Sequence, residues 1–220
     1  MDLYLSDFTE LIKHLPYEQQ AFETSKDTWK KYKNHKIFST FYNEVFRTET
    51  VQFSRADLFA AAAEDFNKAV FSIILWGYPR NMRGNSFGEL LRNIEKLRKA
   101  ILQKAQLMER DFIKLKNSLK GTGIGLSTLT KFLYFFNIEF NGYRSLILDS
   151  RIISVLQEGR FSELSELAEI TEFKKDNYFI PYIKLMDELA KKNGYSVDQL
   201  ELFLFMFGNN LKADSSKLVK

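Results

Sequence analysis

Cysteine is missing from this 220-residue sequence, and histidine occurs only twice, as His14 and His35. Without cysteine the chain cannot form disulfides, thiolate zinc sites or cysteine-ligated iron–sulfur clusters. Two histidines are too few for a histidine-rich metal site. These absences favour a cytoplasmic protein that works without a metal ion.

Long apolar runs are also missing, since no stretch approaches the roughly 18 consecutive apolar residues expected of a transmembrane helix. The first residues, MDLYLSDFTELIKHLP, are acidic and then amphipathic. They lack the basic start, apolar centre and small-residue cleavage site of a secretory signal. We therefore expect neither secretion nor a membrane partner.

Positive charge is only slightly in excess. The sequence holds 32 Lys and Arg against 28 Asp and Glu, which gives a net charge of +4 and a pI near 9.0. Such an excess fits a polyanionic partner, but solubility alone explains it equally well. Charge therefore does not decide between function classes.

Helical periodicity dominates what is present. With 45% hydrophobic residues the chain can bury one substantial core, so we expect one helical domain over residues 1–210 and a polar tail over 211–220. Neither sustained apolar–polar alternation nor a two-residue hairpin signal occurs, and the predicted class is all-α. We expect Ser54 to cap the first long helix, Gly194 to end the penultimate helix and Ser196 to cap the last. The predicted helices cover residues 55–77, 86–119, 150–157, 162–168, 177–192 and 196–207.

The stretch GTGIGLSTLTKFLYFF, residues 121–136, places glycines at every second position ahead of an apolar helix. It matches neither the phosphate loop G-x-x-x-x-G-K-[ST] nor the dinucleotide turn G-x-G-x-x-G. It fits a tight turn between two helices, in which Gly123 and Gly125 allow a positive φ or a close backbone approach. Amides at the start of the second helix can then bind phosphate without reading sequence. A glycine-rich turn between two core helices explains the pattern equally well.

This stretch and the segment SLILDSRIISVL, residues 145–156, together resemble the helix-hairpin-helix superfamily of DNA glycosylases, closest to its 8-oxoguanine branch. That family carries L-P-G-[IV]-G-x-x-[TS]-A, a helix, and then an aspartate that opens another helix. The sequence matches at Gly123-Ile124-Gly125, at Thr128 and at Ile147-Leu148-Asp149, and departs where Gly121-Thr122 replace Leu-Pro. The resemblance implies two helical lobes, a helix-hairpin-helix motif over about residues 111–136, and DNA-phosphate contacts from Gly121, Gly123, Gly125, Ser127 and Thr128.

The resemblance assigns Asp149 as the catalytic carboxylate. Cleavage of an N-glycosidic bond builds positive charge on the sugar, and a carboxylate at a helix N-terminus can stabilise that charge and orient a nucleophile. Asp149 also fits an ordinary N-cap of the helix that starts at Ser150. The two roles are compatible.

Family members that also nick the strand form a Schiff base through a lysine two residues after the second hairpin glycine. Ser127 stands at that position, which argues against a lyase in the usual arrangement and resembles the members that hydrolyse the bond with water alone. Lys131 lies four residues later on the same helical face, and its amine can reach a neighbouring position. Lys131 is therefore the candidate catalytic lysine for an AP-lyase step, and the alternative is a lysine that snorkels or pairs with phosphate.

A glycosylase must also hold the extruded base between apolar faces and polar groups. The end of the first long helix offers Trp76, Tyr78 and Arg80, although Trp76 alone is typical of a core residue. Gln199 and Phe203 are four apart in the last helix and resemble the Gln-x-x-x-Phe pair of 8-oxoguanine glycosylases. Phe203 fits a plain core position as well.

The sequence therefore predicts a DNA glycosylase that flips and excises a damaged or modified base, with an 8-oxoguanine-like purine favoured. The expected partner is double-stranded DNA and the expected state is a monomer. No cofactor is expected beyond a monovalent cation at the hairpin. Two alternatives stay open: a non-catalytic helix-hairpin-helix DNA-binding module, and a helical interaction protein.

Overall fold

The computed structural model describes residues 3–102, 106–171 and 174–211. This part of the chain is mostly helical, with two small sheets, so the predicted all-α class is confirmed. Of the predicted polar tail, residues 212–220 lie outside the described residues.

The α-helices of the described part are α1 Thr9–Lys13, α2 Lys26–Trp29, α3 Ser39–Val45, α4 Arg55–Glu64, α5 Phe66–Gly77, α6 Ser86–Arg92, α7 Ile94–Leu102, α8 Glu109–Ser118, α9 Leu126–Phe135, α10 Ser150–Gln157, α11 Lys175–Asn193 and α12 Val197–Phe207. Short 3-10 helices span Leu5–Phe8, Tyr17–Gln19, Lys30–Tyr32 and Ser162–Leu167. The strands are β1 Ala21–Ser25, β2 Thr50–Ser54, β3 Gln106–Leu107, β4 Glu139–Phe140 and β5 Tyr143–Arg144.

The chain divides into two compact units. The continuous unit is Glu18–Asn141, and the split unit joins Met1–Tyr17 to Gly142–Lys220. This division agrees with the predicted two-lobed helical architecture.

The continuous unit is built around α5, which packs against α4, α9 and the β1–β2 pair. Aromatic residues contribute much of its core: Phe38, Phe71 and Phe87 are buried, and the Phe38 ring contacts each of the other two edge to face. β1 and β2 run antiparallel, with Ala21 opposite Ser54. Sequence analysis missed this pair because no short turn joins the strands.

The predicted helix over residues 55–77 is two helices, α4 and α5. The break falls at Asp65, whose backbone is extended at φ −148° and ψ 131°. Its Oδ1 accepts a 2.7 Å hydrogen bond from Lys68 N, so the same residue ends α4 and caps α5. The predicted start of this helix is confirmed, since Ser54 caps α4 and forms a capping box with Asp57.

The prediction of a single helix over residues 86–119 is wrong. In its place come α6, α7, β3 and α8, with residues 103–105 outside the described residues. Asn93 separates α6 from α7, and its Nδ2 donates to Glu89 O at 2.8 Å. Met108, which the long helix would have included, instead precedes α8 in extended conformation and is 53% exposed.

The split unit contains α10, α11 and α12, and here the predicted helices are confirmed within a few residues. Gly194 ends α11 in the left-handed region, at φ 71° and ψ 35°, and Ser196 caps α12. The predicted helix at 162–168 is a 3-10 helix over Ser162–Leu167.

Candidate active site

The glycine hairpin lies between α8 and α9 in the continuous unit. Gly121 and Gly123 have positive φ, 77° and 76°. A Cβ on Gly123 would lie 2.1 Å from the backbone oxygen of Ser86, so the hairpin sits directly on the start of α6. No larger residue fits at Gly123 without moving backbone.

Gly125 behaves differently from the prediction. Its φ is −84°, a backbone conformation that any residue can adopt, and a Cβ there would meet no atom within 4 Å. Gly125 is the N-cap residue of α9, and no side chain caps this helix. The predicted helix start is confirmed, and open space lies beside amides that favour an anion.

Lys131 is buried on α9, with 4% of its surface exposed. Its Nζ donates to Ser127 Oγ at 2.8 Å and to Ser127 O at 3.3 Å. No carboxylate within the described ranges forms an ion pair with this amine. This burial argues against snorkelling, because a snorkelling lysine keeps its ammonium group in water, while the phosphate-pairing alternative stays open.

Two residues at the end of α5 enclose the lysine. The Lys131 Nζ lies 5.2 Å from the centre of the Tyr78 ring. A Cβ on Gly77 would stand 2.8 Å from Lys131 Cδ and 2.9 Å from Cε, so the lysine occupies the space that this glycine leaves. Sequence analysis identified Gly77 only as a helix stop and missed this contact.

Tyr78 also reaches the first turn of α9. Its hydroxyl shares a 2.6 Å hydrogen bond with Thr128 Oγ1, and Thr128 is 3% exposed. The Thr128 and Ser127 hydroxyls therefore have partners inside the protein. Their predicted contact with DNA phosphate stays a prediction.

The other residues proposed for a base pocket in this unit differ in exposure. Trp76 is 3% exposed and packs against Phe22 and Phe135, with ring centres 5.2 and 5.3 Å away. Arg80 is exposed. Its neighbour Asn81 has a positive φ of 84°. Among the three base-pocket candidates of this unit, Trp76 is buried, whereas the partly exposed Tyr78 and the exposed Arg80 present surface that a ligand can reach.

Asp149 belongs to the split unit, where it caps α10 as predicted. Its Oδ1 accepts hydrogen bonds from Arg151 N at 3.0 Å and Ile152 N at 3.1 Å. The residue is partly exposed. These two bonds fix the direction of the carboxylate while leaving its second oxygen unbonded among the described residues.

The segment before Asp149 is held from both sides. Arg144 Nη1 lies 3.2 Å from the Asp198 carboxylate on α12. The Tyr182 hydroxyl on α11 donates to Ile147 O at 3.2 Å, and Leu148 is fully buried. Asp149 therefore follows a segment that is anchored to α11 and α12.

Gln199 and Phe203 are used within the split unit. Gln199 Oε1 accepts from Ser196 N at 2.9 Å, and its Nε2 donates to Lys13 O at 2.5 Å. Phe203 has no exposed surface and packs against Phe8, with ring centres 5.2 Å apart. Their role in holding a base stays a prediction.

The described residues contain no group of three or more His, Asp or Glu side chains arranged to hold a metal ion. None of the helices in this part of the chain is long and apolar enough to cross a membrane.

A family model described as "Putative 8-oxoguanine DNA glycosylase OGG-like protein" matches residues 15–205. The chain therefore belongs to this OGG-like family, and the suspected resemblance to the 8-oxoguanine branch is confirmed. Membership supports a DNA glycosylase as the class of protein and DNA as its substrate. Searches of curated proteins and of solved structures give no match to this chain.

Proposed function

We propose that this protein is a DNA glycosylase that excises an 8-oxoguanine-like purine, with Lys131 as the nucleophile and Asp149 as the essential carboxylate. Family membership supports the reaction class. The observation that carries the assignment of Lys131 is its buried amine, held on Ser127 and lacking a described carboxylate partner.

Burial of a lysine side chain requires a reason. A lysine that serves solubility keeps its amine in water, and a structural buried lysine is normally paired with a carboxylate. Lys131 does neither in the described part of the chain. Buried lysine amines are typical of Schiff-base chemistry, and this supports catalysis.

The proposed reaction starts with an attack of lysine on the sugar and ends with a nicked strand. The Lys131 amine attacks the sugar C1′, and the bond from C1′ to the base nitrogen breaks with its electron pair leaving on the base; the base takes up the proton that the attacking nitrogen loses. Opening of the sugar ring then gives a Schiff base. Loss of a C2′ proton and of the 3′ phosphate completes the lyase step, and water releases the lysine.

Asp149 would act on the charge that develops in this reaction. Its carboxylate is oriented by the amides of Arg151 and Ile152 and has one oxygen unbonded among the described residues. A fixed carboxylate stabilises the positive sugar of an oxocarbenium-like transition state.

The hairpin would position the duplex. The uncapped N-terminus of α9 and the open space at Gly125 support a phosphate site built from backbone amides. Gly121 and Gly123 would shape that turn through their positive φ values. The exposed Lys120 precedes it and adds positive charge.

The test is base release from duplexes that carry one 8-oxoguanine, uracil, hypoxanthine or ethenoadenine. We expect release of 8-oxoguanine, with strand nicking, and loss of both in Lys131→Gln. Asp149→Asn should also abolish release while keeping the fold, because asparagine caps helices as well as aspartate does.

Asp65→Asn is the matched control, since Asp65 caps α5 in the same way and should leave activity unchanged. Duplex binding without release of any base would contradict the proposal and indicate the non-catalytic DNA-binding module. Release that survives Lys131→Gln without nicking would assign the nucleophile to water.

A further inference from the structure

Positive charge is concentrated in one short segment that the proposed reaction does not use. Residues 26–36, KDTWKKYKNHK, hold five lysines and one aspartate. Without them the 32 basic and 28 acidic residues of the chain would become 27 of each. The net charge of the protein therefore equals the charge of this basic segment.

The basic segment is anchored to the core of the continuous unit by its aromatic residues. Trp29 is fully buried and its Nε1 donates to Thr24 Oγ1 at 2.9 Å. Tyr32 is 8% exposed. Both rings meet Phe87 of α6 edge to face, with ring centres 5.1 and 4.7 Å away. The backbone that carries the lysines is therefore fixed.

The lysines lie on the outside of this turn. Lys31, Lys33 and Lys36 are exposed, and no ion pair involves them among the described residues. Lys30 lies 3.7 Å from Asp27, but both side chains are well exposed, so the pair is weak. Lys31 Nζ also lies 4.7 Å from the centre of the Tyr32 ring. Three ammonium groups with no carboxylate partner among the described residues, carried on a fixed support, are suited to a phosphate backbone.

Helix α6 joins the basic segment to the glycine hairpin. Ser86 receives the close approach of Gly123, and the next residue, Phe87, receives the rings of Trp29 and Tyr32. Because both features rest on consecutive residues of one helix, they are held in a fixed relation within the continuous unit.

We propose that Lys31, Lys33 and Lys36 form a second phosphate-binding surface, which contacts the backbone of the same DNA duplex that the hairpin positions. This inference rests on the proposed DNA substrate. Lysines at such a surface read no sequence, so they would strengthen binding to damaged and undamaged duplexes alike.

The test measures affinity of the full chain for an undamaged duplex between 50 and 200 mM salt. Each lost phosphate contact lowers the slope of log affinity against log salt by about 0.9. We expect the triple variant Lys31→Gln, Lys33→Gln, Lys36→Gln to lose roughly 2 to 3 from that slope and to bind at least tenfold more weakly at the lower salt. The same three changes to Arg should retain the slope.

The matched control changes three other exposed lysines to Gln, at Lys96, Lys99 and Lys192, with the same loss of net charge. If this control loses as much slope, or the first triple variant loses none, the inference is overturned. Binding to an undamaged duplex does not depend on base excision. If wild-type protein binds this duplex but releases no base from the damaged duplexes, the proposed function is contradicted and the inference about the lysines is not. Absence of any duplex binding overturns both.

Discussion

Replacement of Gly77 by Ala tests the placement of the Lys131 amine. The new methyl group would stand 2.8 and 2.9 Å from Lys131 Cδ and Cε, where ordinary contacts begin at 3.4 Å. The lysine must retreat by at least about 0.6 Å, and its Nζ then leaves the 2.8 Å hydrogen bond to Ser127 Oγ. The backbone is not strained, because the φ of Gly77 is outside the positive region.

Stability should change little, because the displaced atoms belong to the end of a flexible side chain. We expect the free energy of unfolding to stay within about 1 kcal/mol of wild type, since alanine suits a helix better than glycine does. The rate should fall further, because a misplacement near 1 Å costs on the order of 10²-fold in catalysis.

The assay is single-turnover base release from an 8-oxoguanine duplex, with thermal unfolding and duplex affinity measured alongside. We expect a rate roughly 10- to 100-fold below wild type with affinity unchanged. Lys68→Ala, on the exposed face of the same helix, should keep the wild-type rate. A wild-type rate in Gly77→Ala would refute the placement of the reactive amine against α5.

The structure leads to three further predictions. Ser127→Ala removes the hydroxyl acceptor of the Lys131 amine and should slow Schiff-base formation about tenfold, as measured by the rate of borohydride trapping; an unchanged rate would exclude Ser127 as a positioning residue. Asp149→Asn should abolish base release at an unchanged melting temperature, whereas Asp65→Asn should retain it. Burial and the nearby Glu163 raise the pKa of Tyr195 to about 12, so stability should be full below pH 10 and fall as the pH rises toward 12; chemical denaturation of wild type and Tyr195→Phe would show this, and equal loss in both would contradict it.

Helix ends were predictable wherever a local signal determines them. Ser54, Asp149 and Ser196 accept capping hydrogen bonds from the first turn, and Gly194 adopts the left-handed conformation that glycine favours. These features depend on neighbours within four residues. Sequence reasoning could therefore find them.

The breaks inside the long apolar stretches were not predictable. Asp65 interrupts a stretch without Gly or Pro, and the break at its extended backbone separates two helices, α4 and α5, that pack against each other. The pairing of Ala21 with Ser54 likewise depends on contacts between distant residues. Such tertiary effects leave little trace in local periodicity.

The candidate site shows the same division. The position of Lys131 on the first turns of α9 follows from the hairpin pattern, but its burial depends on Gly77 and Tyr78 from another helix. The Gln199 amide fitted a base pocket by spacing, and in the fold it binds Ser196 and Lys13. Spacing identifies a shared helical face, and only the fold shows what that face meets.

Mapping of the covalent intermediate tests the central claim most directly. The protein is mixed with an 8-oxoguanine duplex and borohydride, digested, and the modified peptide is located by mass spectrometry. The account predicts one reduced DNA adduct, on Lys131, that disappears in Lys131→Gln. Base release with no adduct, or an adduct on another amine such as Lys120, would contradict it.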